Sequence, residues 1–417
     1  MDWRIGYQAI SSFSGLFQMR IALLNSLFPE LGIGGSEMST FYLAKGLKQL
    51  GHTVHVFSEN DSESTVWEKY RDIDVLRIGA PLGYGPNIFA TPRLEREYWR
   101  NESEESSSIL ARFEKHISEF RPNIIHTNVI GGTVGFWNLA REMGIPVVHT
   151  LRSYSLLCHR RMLRGHVPCK RVCSACLNPS REKSRIESNK VTSVVAISQH
   201  VMDVFRKSGW FADVEHRHVI GNSYEVSDVL FEESGGEKKY DFGYIGRLHE
   251  TKGLELLIEQ FSRLRKEIDK DLKLLIAGDG NPDYVNRLRQ LAPSDGVEFA
   301  GYLSPTQFFA LVRICVVPSI WYEPFGRVFA ESLHHGVPVI GSKRGGGAEI
   351  LDDSTGWLFD PIHPEQLRDA MISAFGLGDD GYQQMRQGCL AQAEQYSVKA
   401  IAEKYSSIYE KCLGISS

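Results

Sequence analysis

The sequence has no apolar run approaching the ~18–20 residues that a membrane span needs. Residues Met1–Gln18 lack a basic segment followed by an apolar core, so nothing there reads as a secretory signal, and a reducing cytoplasm is the expected compartment. Neither sign of charge dominates: 47 Lys and Arg stand against 51 Asp and Glu, a net charge of −4, which argues against a general nucleic-acid binder. There is no low-complexity tract and no short-period repeat. Apolar residues at 42% and charged ones at 24% are near the globular average, and 38 glycines in 417 residues point to many tight turns. The length suggests two to three domains.

Charge and cysteine are unevenly placed. From Arg152 to Lys190 ten basic residues face only Glu182 and Glu187, a local charge of +8, and four of the seven cysteines lie there. The segment 152–190 is therefore expected to be a distinct basic loop.

The first clear strand falls in Gln18–Phe28, followed by the Gly-rich turn Gly32–Glu37 and a helix carrying Phe41, Leu43, Ala44, Leu47 and Leu50, ended by Gly51. Strands are expected at Thr53–Ser58, Asn123–Thr127, Pro146–Leu151 and Val194–Ile197. After the acidic stretch Val226–Asp241, which reads as a linker, the pattern restarts. Asp241–Ile245, Leu272–Ala277, Val297–Phe299, Ile314–Pro318 and Val337–Gly341 are the strands of this second unit. Alternating strands and helices imply parallel sheets covered on both faces, so the fold class is α/β with two such units. The expected division is an extension 1–18, an N-terminal domain 19–225, a C-terminal domain 226–395, and a final helix within 396–417 packing back on the first domain.

Ser319–Glu331 runs from a strand end through a tight turn into a helix, with Glu323 in the turn and Glu331 about two helical turns past the start. A helix N-terminus at Phe325–Arg327 offers unpaired N–H groups suited to a phosphate. A nearby carboxylate can accept two hydrogen bonds from a ribose diol. Just past another strand end, Gly246-Arg247…Lys252-Gly253 places two cations five residues apart, within reach of one diphosphate.

These residues resemble the retaining GT-B-fold glycosyltransferases of family 4, which use nucleotide-diphosphate sugars. The resemblance covers the chain from Met19 onward, with motifs in the family order: Gly34-Gly35, Gly246-Arg247…Lys252-Gly253, Ala277–Gly280, Glu323-x₇-Glu331 and Gly336–Val339. It implies two Rossmann-like domains facing each other across a cleft. It also implies roles: Arg247 and Lys252 neutralise the diphosphate, and Gly246 belongs to their loop. Glu323 with the Phe325–Gly326 backbone holds the donor sugar, Arg327 is among the donor-binding residues, and Glu331 binds the ribose. Gly34 and Gly35 let the first domain approach the donor. The implied activity is hexosyl transfer to a glycan, lipid-linked or small-molecule acceptor in cell-surface polysaccharide or glycoconjugate synthesis.

Many relatives carry a His after the strand that ends here at Leu151; this chain has Arg152. Its cation reaches either a donor phosphate or an anionic acceptor, or it only decorates a strand end; it cannot be a general base. His149 reads as a packed strand residue. Stabilising the leaving diphosphate is the largest available help, and no metal is required for it. No carboxylate pair can be placed either side of an anomeric carbon as in a retaining glycosidase; the resemblance implies retention by front-face transfer, with the donor's own phosphate oxygen taking the acceptor proton. The basic loop suggests peripheral contact with the inner face of a membrane, or only a solvated face.

Cys158, Cys169, Cys173 and Cys176 crowd into a loop too polar to build its own core. A structural zinc would satisfy four thiolates at once; free or redox-active thiols and disulfides are the alternatives. Competing functions are a sugar-nucleotide epimerase or hydrolase on the same fold, a non-catalytic scaffold, and an NAD-dependent oxidoreductase suggested by Gly32-x-Gly34-x-x-Glu37. In that last pattern Glu37 occupies the third glycine position and would crowd a pyrophosphate.

Overall fold

A computed structural model of the chain describes residues 17–31, 34–60, 62, 64–79, 105–130, 133–158, 162–164, 167–169, 179–225, 238–268 and 271–415. The expected extension, apart from residues 17 and 18, lies outside them, as do linker residues 226–237.

The first unit runs β1 (Arg20–Leu24), α1 (Gly35–Gln49), β2 (Thr53–Asn60), β3 (Val66–Tyr70), β4 (Ile73–Gly79), α2 (Glu105–Phe120), β5 (Ile124–Thr127), α3 (Thr133–Glu142) and β6 (Val147–Leu151). A short hairpin of β7 (Leu163–Arg164) and β8 (Val167–Pro168) follows, then α4 (Pro179–Ser188), β9 (Ser193–Ala196), α5 (Gln199–Lys207) and β10 (His216–Val219). The sheet order is β10-β9-β6-β5-β1-β2-β4-β3, parallel except where β3 runs against β4. Its central strands are buried on both faces, which is why β1 is a near-continuous apolar run.

The second unit contains β11 (Tyr240–Ile245), α6 (Leu254–Glu267), β12 (Leu274–Ala277), α7 (Pro282–Leu291), β13 (Val297–Gly301), α8 (Pro305–Leu311) and β14 (Val312–Val317). It continues with α9 (Arg327–His334), β15 (Val339–Ser342), β16 (Gly356–Phe359), α10 (Pro364–Phe375) and α11 (Asp379–Ala393). All its strands are parallel, in the order β13-β12-β11-β14-β15-β16. That order reverses between β11 and β14, and in the first sheet between β1 and β5. In open α/β sheets ligands bind beyond the strand ends at such a switch point.

The last helix, α12 (Val398–Cys412), returns to the first unit and packs on α1, where Gly46 lies directly against Ala402 and Val398. Polar contacts reinforce this: His52 Nε2 bonds Ser406 Oγ (2.9 Å), and His126 Nδ1 bonds the Tyr409 hydroxyl (2.6 Å).

Candidate functional site

The two switch points face each other, and between them lies a cleft of about 380 Å³. That is enough room for a small ligand. The first unit lines it with Gly34, Gly35, Ser36, Arg152, Ile197 and Asn222. The second brings Gly246, Lys252, Ser319, Glu323, Phe325, Gly326, Arg327 and Glu331.

Backbone bonds between strand-end loops bring these side chains together. Gly246 N donates to Ala277 O (3.1 Å) and Leu248 N to Asp279 O (2.8 Å), so the Ala277–Gly280 segment supports the loop after β11. Thr251 O accepts from Ile320 N (3.0 Å) and Trp321 N (3.2 Å), which clips the Lys252 turn to the loop after β14. Gly253 makes this approach feasible: at φ +72° it is left-handed, and a Cβ there would stand 2.0 Å from Pro318 O.

Lys252 Nζ consequently meets Glu323 Oε1 in an ion pair, and Ser319 Oγ donates to the same oxygen (2.9 Å). Glu323 is 9% exposed. At the start of α9, with Gly326 at its N-cap, Arg327 pairs with Glu331 (3.0 Å) one turn on. Burial raises the Glu331 carboxyl above its ordinary range, and Arg327 opposes the shift. Across the cleft, a Cβ on Gly35 would lie 3.3 Å from Arg327 Cδ, so the glycine keeps the two domains close. Glu37 turns back on the loop and is held by the backbone of Gly34 and of Glu37 itself; burial is the larger effect and raises its pKa.

Arg152 is buried. Its Nε donates to Asn128 Oδ1 (2.8 Å) and its Nη1 to Asn222 Oδ1. His149 is a packed strand residue, bonded to Thr127 Oγ1 (2.8 Å) and held down to about 3 by burial.

Arg247 departs from the sequence-based picture. It does not line the cleft; its side chain is exposed and makes no hydrogen bond or ion pair among the described residues. Tyr244 donates to its carbonyl oxygen (2.9 Å), so its backbone is fixed and its side chain is not. Of the cysteines, Cys173 and Cys176 lie outside the described residues. Cys158 is buried among apolar neighbours, with Cys169 packed at the edge of the same cluster. Among the described residues no group of three or more His, Cys, Asp and Glu is placed to hold a metal ion. In the basic loop, Arg181 donates to Ser155 O (3.0 Å), Arg185 pairs with Glu182 and Lys190 with Glu187 (2.7 Å), so three of its cations have internal partners. Arg160, Arg161, Lys170 and Arg171 lie outside the described residues. No helix among the described residues is long and apolar enough to cross a membrane.

Sequence reasoning missed several groups. The Arg327–Glu331 pair was readable from its i, i+4 spacing. Asn128 and Asn222 carried no local signal. Nor did Glu349, which accepts from Gln199 N (2.7 Å) and His200 N (2.6 Å) across the domain boundary. Ser198 Oγ to Pro324 O (2.6 Å) and Tyr154 OH to Tyr322 O (3.0 Å) also cross it, so the domains are in direct contact around the cleft.

Residues 33–227 match the family model for glycosyltransferase family 4, and residues 239–376 match the one for glycosyl transferases group 1. The chain belongs to the family 4 glycosyltransferases. Among curated relatives, an uncharacterized 42.6 kDa protein in the cps region of Klebsiella pneumoniae is 29% identical over 80% of this chain and 87% of its own. Mannosylfructose-phosphate synthase of Agrobacterium fabrum is 26% identical over 85% and 83%. Sucrose-phosphate synthase from Thermosynechococcus elongatus superposes with a TM-score of 0.73 at 19% identity, covering 96% of this glycosyltransferase and all of that chain. Anabaena HepE, solved in complex with UDP and glucose, gives 0.66 at 19%, covering 94% and 99%. These likenesses show the GT-B fold: two parallel-sheet domains with a cleft between them.

Proposed function

We propose that this glycosyltransferase takes a hexose from a nucleoside-diphosphate sugar and transfers it, with retention, to a hydroxyl of a glycan, lipid-linked or small-molecule acceptor. One observation carries the reading. Lys252, Glu323, the N-terminus of α9 and Glu331 converge on one wall of a cleft whose opposite wall is the Gly34–Gly35 loop.

On that wall the diphosphate lies against the α9 N-terminus and Lys252, and Glu331 takes the ribose diol. Glu323, oriented by Lys252 and Ser319, holds hydroxyls of the donor sugar. Cleavage of the sugar–phosphate bond leaves negative charge on the diphosphate, and fixed cations and N–H groups stabilise it without reorganisation. The acceptor oxygen bonds to the anomeric carbon on the face the phosphate leaves. Its proton passes to the departing phosphate oxygen. Exposed Arg247 sits at the loop after β11 and reaches the diphosphate by a side-chain turn on donor binding. The relative in a cps region supports a place in polysaccharide or glycoconjugate synthesis.

The test is a sugar-nucleotide screen by saturation-transfer NMR, followed by NMR of the product's anomeric proton. Retained configuration is expected. An inverted product would refute front-face transfer, and failure of every nucleotide to bind would refute the donor reading.

A further inference from the structure

The cations that line the cleft from the second domain each have an anion of their own: Lys252 has Glu323 and Arg327 has Glu331. Arg152, the cation from the first domain, does not. It is 9% exposed, and its two hydrogen bonds go to the neutral amides of Asn128 and Asn222. Among the described residues no carboxylate lies within ion-pair distance of it. The charged and titratable groups that interact with it are Tyr405 and Tyr409 of α12, His126 of β5 and His149 of β6, and, beyond ion-pair distance, Glu37 of α1.

Amide oxygens orient a guanidinium; they do not neutralise it. An arginine keeps its proton at any working pH, and a buried charge without a counter-ion is costly. Two of its five N–H donors are committed, at Nε and Nη1. The other three have no partner among the described residues, and the side chain lines the cleft. This arrangement is held in place by residues far apart in sequence, from the ends of β5 and β6 and from the segment after β10. It is a fork fixed in position with its counter-ion missing.

We propose that Arg152 binds an oxyanion carried by a sugar of one of the two substrates, either the carboxylate of a uronosyl donor or the phosphate of a phosphorylated acceptor. The inference rests on the donor reading above, in which the diphosphate is served by the opposite wall. A planar fork suits a carboxylate or a phosphate equally. A neutral sugar at the same place leaves the guanidinium unpaired, so the site discriminates against it.

Calorimetry on the full chain first identifies which of UDP, ADP and GDP binds. The glucose and glucuronic acid conjugates of that nucleotide are then compared. In a second arm, with the nucleoside diphosphate bound, glucose and mannose 6-phosphates are compared with glucose and mannose. One arm should favour the anionic sugar by about tenfold or more. The first arm winning assigns the oxyanion to the donor, the second to the acceptor. Arg152→Gln should abolish the preference and leave nucleoside-diphosphate affinity within about threefold; Arg152→Lys, which keeps charge without the fork, should retain part of it. The wild-type comparison decides even if Arg152→Gln does not fold. No preference in either arm overturns the inference and leaves the donor reading standing. A tenfold loss of nucleoside-diphosphate affinity in Arg152→Gln also overturns it, by assigning Arg152 to the diphosphate. Failure of all three nucleoside diphosphates to bind overturns the donor reading and this inference with it.

Discussion

Replacing Lys252 by Met removes an ammonium from the cleft at little change in side-chain length. The side chains of Lys252 and Glu323 are 22% and 11% exposed, so their ion pair is screened less than a surface one. Losing a charge-assisted bond of this kind costs roughly 1.5–3 kcal/mol. Glu323 would be left with the Ser319 hydroxyl as its donor, at 2.9 Å. In the resting protein that loss appears as reduced stability. During transfer the same ammonium faces a diphosphate whose charge grows as the sugar departs, so the loss falls more heavily on the transition state. The same 1.5–3 kcal/mol corresponds to a fall in kcat of roughly 10- to 150-fold, with nucleoside-diphosphate affinity changing by less than about tenfold. Steady-state transfer with the donor found by the NMR screen, alongside calorimetry with the nucleoside diphosphate, separates the two. A Lys252→Met enzyme with kcat within about threefold of wild type would refute the assignment. Equal losses in affinity and in kcat/KM with kcat preserved would reduce Lys252 to uniform binding.

The two glutamates should separate. Glu331→Gln should weaken the nucleoside diphosphate itself, with or without a sugar, whereas Glu323→Gln should leave that affinity nearly intact and cut turnover; calorimetry showing the reverse would exchange their roles. Acid should loosen α12, because burial holds His52 down to about 4 and His126 well below its usual value. Their folded pKa values lie below the unfolded one, so their stabilisation is full above about pH 6.5 and is lost as pH falls toward 4; a Tm that stays flat across this window would contradict the assignment. Glu349→Ala removes the acceptor for the Gln199 and His200 N–H groups, so the nucleotide-free protein should show a larger radius of gyration by small-angle scattering. A curve identical to wild type would deny Glu349 a part in holding the domains together.

Strands buried on both faces were legible because burial forces a continuous apolar run, as in Ile21–Leu24 and Leu274–Ala277. The edge strands of the first sheet were not. Val66–Tyr70 pairs on one side only and leaves Val66 and Trp67 exposed, and His216–Val219 at the other edge has no apolar pattern to read. In the site, residues that share a loop or one helical turn were within reach of spacing arguments: Gly34 and Gly35, Lys252, Glu323, Arg327 and Glu331 all line the cleft. Spacing also put Arg247 there. Two cations five residues apart on a loop need not point the same way, however, and the bond from Tyr244 fixes only the Arg247 backbone. Asn128 and Asn222 meet Arg152 only through tertiary structure, with Asn222 seventy residues away along the chain. No periodicity encodes such a meeting.

The charges of the cleft follow a division between its walls. On the second-domain wall each cation is matched with a carboxylate on a neighbouring loop or turn, so the resting site is nearly neutral and its groups are already oriented. Preorganised pairs of this kind stabilise developing charge without the cost of turning dipoles or side chains at the moment of reaction. A neutral resting wall also lets the protein fold around these groups without a nucleotide, since neither cation is buried unpaired. The first-domain wall is built differently: glycines give close approach, and Arg152 alone supplies charge, held by amides that leave it unneutralised. The nucleotide is common to many donors and needs a wall that is complete by itself. The sugars are what one glycosyltransferase must tell from another. It is consistent with this division that the unmatched charge stands on the wall facing them.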